Sequence, residues 1–282
     1  MAKHYEALQR AEMERRRKTT GAESAPSEMP AFEGAAITPP ARKEKAGVLS
    51  RMFGSLKGAP GEAPSDANKR RISLLQPDSY VAEQYRSLRG RLDSLASQRP
   101  LKTIAVTSAN AGEGKSTCSV NLACVTAMSV GRSVLLVDCD LRRPKVHWTL
   151  GLQPQVGLAE VLLNQATIDE AIVKVAGINL DVLPVRMIPS NPSELLASPE
   201  MRRVIEEVAR RYDRVVLDTP ACLGLPDAKS ISELCDGLVM VVRAGVTPKE
   251  DVQAALDILD RRRVVGLVLN GSEATREQYG YY

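Results

Sequence analysis

From residue 103 onward, short apolar runs alternate with longer segments of helical period. The runs at 103–107, 134–137, 180–183, 215–217, 238–242 and 264–269 are predominantly apolar and of strand length. Strands apolar on both faces, separated by helices, predict a mostly parallel sheet covered on both sides. After the first run, Val120, Cys124 and Ala127 make a helical stripe that stops at Gly131. Asn191-Pro192-Ser193-Glu194 and Thr247-Pro248-Lys249-Glu250 each offer a cap, a proline for the first turn and a glutamate at the third position. Ser198-Pro199 opens another helix, with Met201, Val204, Ile205 and Val208 facing inward. Ahead of the first strand, Pro77-Asp78-Ser79 starts a helix whose apolar stripe is Val81, Tyr85, Leu88, Leu92 and Leu95. Glu83, Arg86 and Arg89 then form a charged ridge on its solvent side.

The pattern fades toward the N-terminus. Tyr5, Leu8, Glu12 and Arg15 allow a short charged helix, but 19–68 are rich in Ala, Pro, Gly, Ser and Glu without periodicity and read as a disordered linker. A small apolar island, Val48, Leu49, Met52, Phe53 and Leu56, has the spacing of a short docking helix. The expected organisation is a largely disordered basic segment at 1–70, a folded α/β domain at 71–274 and a tail at 275–282. Of the seven tyrosines, Tyr279, Tyr281 and Tyr282 crowd into that tail.

The net charge is +4, and all of the excess falls within 1–70, led by Arg15-Arg16-Arg17-Lys18. So short a run reads as a solvated face, and no nucleic-acid partner is expected. Five cysteines show neither C-x-x-C spacing nor an even framework and read as buried thiols of a reducing compartment. No apolar run approaches membrane-spanning length and no signal-peptide core is present, so a cytoplasmic protein is expected.

The candidate chemistry centres on Ala109-Asn110-Ala111-Gly112-Glu113-Gly114-Lys115-Ser116, a phosphate loop between a strand and a helix. Glycines let successive backbone N–H groups turn inward around polyphosphate oxygens at a helix N-terminus. Asn110, Ala111, Gly112, Glu113, Gly114, Lys115, Ser116 and Thr117 are thus the expected nucleotide contacts. Lys115 reaches the β- and γ-phosphates, and Ser116 supplies a hydroxyl to Mg²⁺. Ligands of such sheets bind beyond the carboxyl ends of the strands. There Val137-Asp138-Cys139-Asp140 ends one apolar run and Leu217-Asp218 another. Mg²⁺ needs hard oxygens and keeps several waters, so Ser116, Asp140 and Asp218 with the phosphates suffice.

Together these stretches resemble the bacterial tyrosine kinases (BY-kinases) of capsular and exopolysaccharide loci, the cytoplasmic CpsD/CapB-like autokinases. The resemblance runs from about Ile72 to Tyr282. It is carried by Glu83-Gln84-Tyr85-Arg86-Ser87-Leu88-Arg89, the phosphate loop, Asp138-Cys139-Asp140-Leu141-Arg142-Arg143-Pro144, Asn191-Pro192-Ser193-Glu194-Leu195-Leu196, Tyr212-Asp213-Arg214-Val215-Val216-Leu217-Asp218-Thr219-Pro220 and the terminal tyrosines. Ala111 and Ala221 stand where the family usually has proline, and the tyrosine cluster is short. The resemblance implies a P-loop NTPase-like fold and an ATP- and Mg²⁺-dependent protein-tyrosine autokinase regulating polysaccharide synthesis and export. Its catalytic set would be Lys115, Asp138, Asp140 and Asp218, with Asp138 nearest the acceptor and the division of base and metal ligand between Asp138 and Asp140 left open. It further implies Tyr279, Tyr281 and Tyr282 as phosphoacceptors, used in trans, and Glu83, Arg86 and Arg89 as an interface within a ring-like homo-oligomer. The implied partner is the cytoplasmic tail of a transmembrane polysaccharide co-polymerase, which would recruit the chain to the inner face of the membrane. Asn270 resembles the family's adenine-contacting asparagine and reads equally as a turn residue beside Gly271.

Two other readings start from the same loop. A septum-site or partition-type ATPase switch carries a lysine four residues before the loop's last glycine, where this chain has Asn110; the charge that such a lysine lends to the partner's phosphates is missing. A nucleotide-sensing scaffold that transfers nothing would use the same binding residues.

Overall fold

The computed structural model describes residues 71–272. The segment 1–70, with its expected helix, linker and apolar island, and the tail with Tyr279, Tyr281 and Tyr282 lie outside the described residues. The elements are α1 (Ile72–Leu75), α2 (Tyr80–Ala96), β1 (Thr103–Ser108), α3 (Lys115–Ala127), β2 (Val134–Asp138), α4 (Val146–Leu150), α5 (Leu158–Leu162) and α6 (Ile168–Ala171). They continue with β3 (Val173–Lys174), β4 (Leu180–Leu183), α7 (Pro192–Leu196), α8 (Pro199–Arg211), β5 (Arg214–Asp218), α9 (Asp227–Ser232), β6 (Gly237–Arg243), α10 (Lys249–Ile258) and β7 (Val264–Asn270). The sheet order is β3-β4-β2-β5-β1-β6-β7. All pairs are parallel except β3 with β4. Each of the six apolar runs is a strand, and the two-residue edge strand β3 is one that the pattern does not announce.

Strand residues alternate between two cores. Ile104, Val106, Val216, Val239 and Val241 face α2 and α3, while Ala105, Leu217, Leu238 and Met240 face the side that holds Met201, Val204, Ile205 and Val208 of α8. Helix α3 departs from the single expected stripe, since every residue from Cys118 to Ala127 is buried. It lies against the sheet with α1 and α2 packed over it, and its Ser, Ala and Cys residues permit close approach.

Helix α2 begins where expected, with Ser79 Oγ accepting a hydrogen bond from Ala82 N–H at 3.2 Å. Its buried positions, however, are Ala82 and Leu92, and Val81 is exposed. The expected stripe otherwise holds, for Tyr85, Leu88 and Leu95 pack half-buried against the same core as Leu92, and Ala82 and Arg89 extend the packed face toward α3. Arg89 therefore leaves the solvent ridge: its guanidinium donates to Val125 O at 2.7 Å and to Ser129 Oγ at 2.6 Å, at the carboxyl end of α3 where a cation is favoured. Glu83 and Arg86 stay outside as an exposed pair 2.8 Å apart.

Three further expectations change in detail. Helix α10 starts at Lys249 with Pro248 as the flanking residue, and Thr247 turns its hydroxyl elsewhere. Asn191 precedes α7 without a side-chain capping bond. The edge strand β7 is not covered on both faces, for Leu267 is 54% and Leu269 60% exposed. All five cysteines are buried and unpaired. Among the described residues no helix is long and apolar enough to cross a membrane.

Candidate active site

Strand β1 runs directly into the phosphate loop, which bends through left-handed backbone at Gly112 (φ 86°) and Gly114 (φ 98°) before α3 begins. At Gly114 a side chain is excluded twice over, by this φ and because a Cβ would lie 2.0 Å from Asn270 Nδ2. The loop's side chains face away from its concave side. Glu113 is buried, its Oε1 accepting from Thr247 Oγ1 at 2.6 Å and its Oε2 from the Asn110 backbone N–H at 3.2 Å. Asn110 Nδ2 donates to Asp251 Oδ2 at 2.6 Å. Asn270 Nδ2 donates to the Glu113 carbonyl at 2.9 Å and Arg243 Nη1 to the Gly112 carbonyl at 3.3 Å. Residues from β6, α10 and β7 thus grip the loop from behind. Of the residues expected to touch nucleotide, Asn110 and Glu113 turn their side chains into these braces, the Asn110 N–H is taken up by Glu113, and Ala111 sits exposed at the tip.

A cavity of about 320 Å³ opens in front, lined by Gly112, Gly114, Lys115, Ser116 and Thr117 together with Asn270. Two cations that the sequence reading passes over, Lys145 and Arg243, complete its walls. Arg243 carried a signal, since it directly follows an apolar strand run and so stands at the ligand-binding end of the sheet. Asn270 is brought to the loop, its register partner being Arg243.

The three aspartates differ sharply. Asp138 and Asp218 are register partners at the ends of β2 and β5, and both are fully buried. Asp218 Oδ1 accepts from Ser119 Oγ at 3.1 Å, while its Oδ2 is buried without a hydrogen-bond partner. Burial raises its pKa to about 6, against the lowering effect of the Lys115 charge and of the Ser116 and Ser119 hydroxyls. Asp138 is held well above the usual carboxylate range, chiefly by burial and then by the Asp218 charge. Its oxygens accept three backbone N–H groups, from Asp140 to Oδ1 and from Lys145 and Val146 to Oδ2, each at 3.1 Å. Asp140 alone of the three reaches the cavity's cation, its Oδ2 lying 3.4 Å from Lys115 Nζ. Lys115, Ser116, Asp140 and Asp218 therefore converge, whereas Asp138 is spent inside the loop that follows β2. Glu83 and Arg86 are not part of this site.

Among the described residues no group of three or more His, Cys, Asp or Glu is arranged to chelate a metal unaided. The donors present do suit Mg²⁺, which takes few protein oxygens and completes its shell with phosphate and water. Asp218 Oδ2, buried without a hydrogen-bond partner, is the strongest sign of that fit.

The chain is similar to known proteins. Residues 101–258 match the family model described as AAA domain. Tyrosine-protein kinase YwqD of Bacillus subtilis is 39% identical over 75% of this chain and 90% of that protein. The succinoglycan biosynthesis transport protein ExoP of Rhizobium meliloti is 32% identical over 85% of this chain, which spans 33% of that longer protein. The kinase domain of Escherichia coli tyrosine kinase ETK superposes with a TM-score of 0.68 at 27% identity, over 78% of this chain and 86% of that domain. A nucleotide-binding P-loop domain of this kind, matched along nearly the whole length of a named tyrosine kinase, makes the chain a member of the bacterial tyrosine kinase family.

Proposed function

We propose that the chain uses Mg²⁺ and ATP to phosphorylate tyrosines in the tails of neighbouring copies of itself. The gathering of Asp140 and Asp218 around Lys115 and Ser116, which themselves line the cavity, carries this reading. The backbone N–H groups of 111–117 and the Lys115 ammonium would bind the phosphates, with Arg243 and Lys145 adding charge at the walls. Ser116, Asp140 and Asp218 would hold Mg²⁺, which when bound supplies charge neutralisation at the phosphates. In the transfer, the tyrosine oxygen bonds to the terminal phosphorus, the bond to the ADP oxygen breaks, and the phenolic proton passes to solvent water. The transition state is loose, so positioning and charge count for more than strong base catalysis. Asp138 accordingly serves to hold the 140–146 loop, as its three backbone partners indicate.

The kinase domain would occupy 71–274, and Tyr279, Tyr281 and Tyr282 in the tail 275–282 would be the acceptors. The ATPase-switch reading loses support here, since Asn110 is tied to Asp251 of its own α10. Glu83 and Arg86 offer an exposed charged pair for a ring interface, with Arg89 setting the angle of α2 rather than meeting the neighbour. About two thirds of the transport protein's length has no counterpart in this chain. A separate transmembrane co-polymerase whose cytoplasmic tail recruits this chain to the membrane would supply that part, and would tie the kinase to polysaccharide synthesis and export. The test is Lys115→Met mixed with active protein and Mg-ATP: phosphotyrosine should form on the inactive chains, and undiminished labelling by Lys115→Met protein alone would overturn the proposal.

A further inference from the structure

Asp227, the first residue of α9, is fully buried, with Oδ2 accepting from Arg142 Nε at 2.8 Å and Oδ1 from Ser193 Oγ at 2.5 Å. Arg142 Nη2 also donates to Ser193 Oγ at 2.8 Å. The three side chains close a ring of hydrogen bonds between the loop after β2, the first turn of α7 and the start of α9. This is what the Asp-Leu-Arg and Asn-Pro-Ser stretches have in common: each contributes one member.

Arg142 lies two residues beyond Asp140, and the intervening Leu141 is buried in the core. Asp140 itself turns back on the loop, Oδ1 accepting from Arg143 N–H at 3.0 Å while Oδ2 faces Lys115. Asp138 pins this loop from the sheet side. On the other side a planar guanidinium, engaged through Nε and Nη2 at once, permits little rotation of the backbone that carries it.

We propose that Arg142, Ser193 and Asp227 form a clamp of positioning residues that fixes Asp140 at the metal, so that they govern Mg²⁺ use and leave nucleotide binding alone. The proposal rests on Asp140 being a metal ligand, as argued above. The phosphate loop is braced separately, by Thr247, Asp251 and Asn270, and shares no partner with the clamp.

The test uses the full chain, with phosphotyrosine formation followed across a Mg²⁺ titration and a fluorescent ADP analogue bound without metal. Asp140→Asn serves as the reference. Ser193→Ala, Arg142→Gln and Asp227→Asn should each raise the half-saturating Mg²⁺ roughly tenfold or more, the usual cost of losing a partner behind a metal ligand. Metal-free binding of the analogue should stay within about twofold of wild type, and Ser193→Thr, which keeps the hydroxyl, should restore Mg²⁺ use. If Asp227→Asn does not fold, the Ser193 pair still decides, because it alters one hydroxyl. Variants that lower the rate at every Mg²⁺ concentration with half-saturation unchanged, or that weaken analogue binding in parallel, would overturn the clamp while the Asp140→Asn reference still shifts. An Asp140→Asn protein with wild-type Mg²⁺ dependence would instead overturn the metal assignment itself.

Discussion

The two loops that build the site are made on opposite plans. In the phosphate loop the backbone faces the cavity and the side chains of Asn110 and Glu113 are turned outward into braces. In the loop after β2 the backbone N–H groups of Asp140, Lys145 and Val146 are turned inward onto Asp138, while the side chain of Asp140 meets Lys115 and Lys145 lines the cavity. The difference follows from what each must hold. Polyphosphate oxygens are many and are best met by a nest of N–H groups, whereas a cation needs a few oxygens at fixed points.

That contrast can be broken most severely at Gly114. Gly114→Ala forces a Cβ into left-handed backbone and against Asn270. Strain of about 1–3 kcal/mol there should cut nucleotide affinity by roughly ten- to a hundredfold, measured by titration calorimetry. Asp138→Asn strikes the second loop. An amide cannot accept on both sides, so buried N–H groups lose partners and stability should fall by about 1–3 kcal/mol in urea unfolding. Loss of activity with unchanged stability would instead show Asp138 acting as a proton acceptor.

Thr247→Val removes the brace behind Glu113 and should weaken nucleotide binding by about 1 kcal/mol, roughly fivefold, with Thr247→Ser close to wild type. The mildest probe is pH. Asp218, raised to about 6 in the folded protein, binds a proton there that the unfolded chain releases near 4, so its burial costs stability progressively as pH rises from about 4 to 6 and uniformly above. Mg-nucleotide should therefore add more to the melting temperature at pH 8 than at pH 5.5, where a proton competes for the same carboxylate. An equal increment at both would separate Asp218 from the metal.

Much of this was legible in the sequence, for local reasons. Short apolar runs between helical segments mark the strands, the glycines and Lys115 state the anion site by themselves, and Ser79 and Ser198 start their helices through bonds three residues away. Asp138, Asp140 and Asp218 could be singled out because a strand's end fixes which edge of the sheet a residue occupies. Tertiary packing decided the rest. Whether Arg89 faces solvent depended on how closely Ala82 lets α2 approach α3. That Thr247 braces the phosphate loop rather than capping α10 depended on the parallel pairing of β6 beside β1. Asp138 and Asp140 look interchangeable in the chain, one residue apart at the end of one strand. Only the fold, by burying the first beneath backbone N–H groups and turning the second to Lys115, gave them different work.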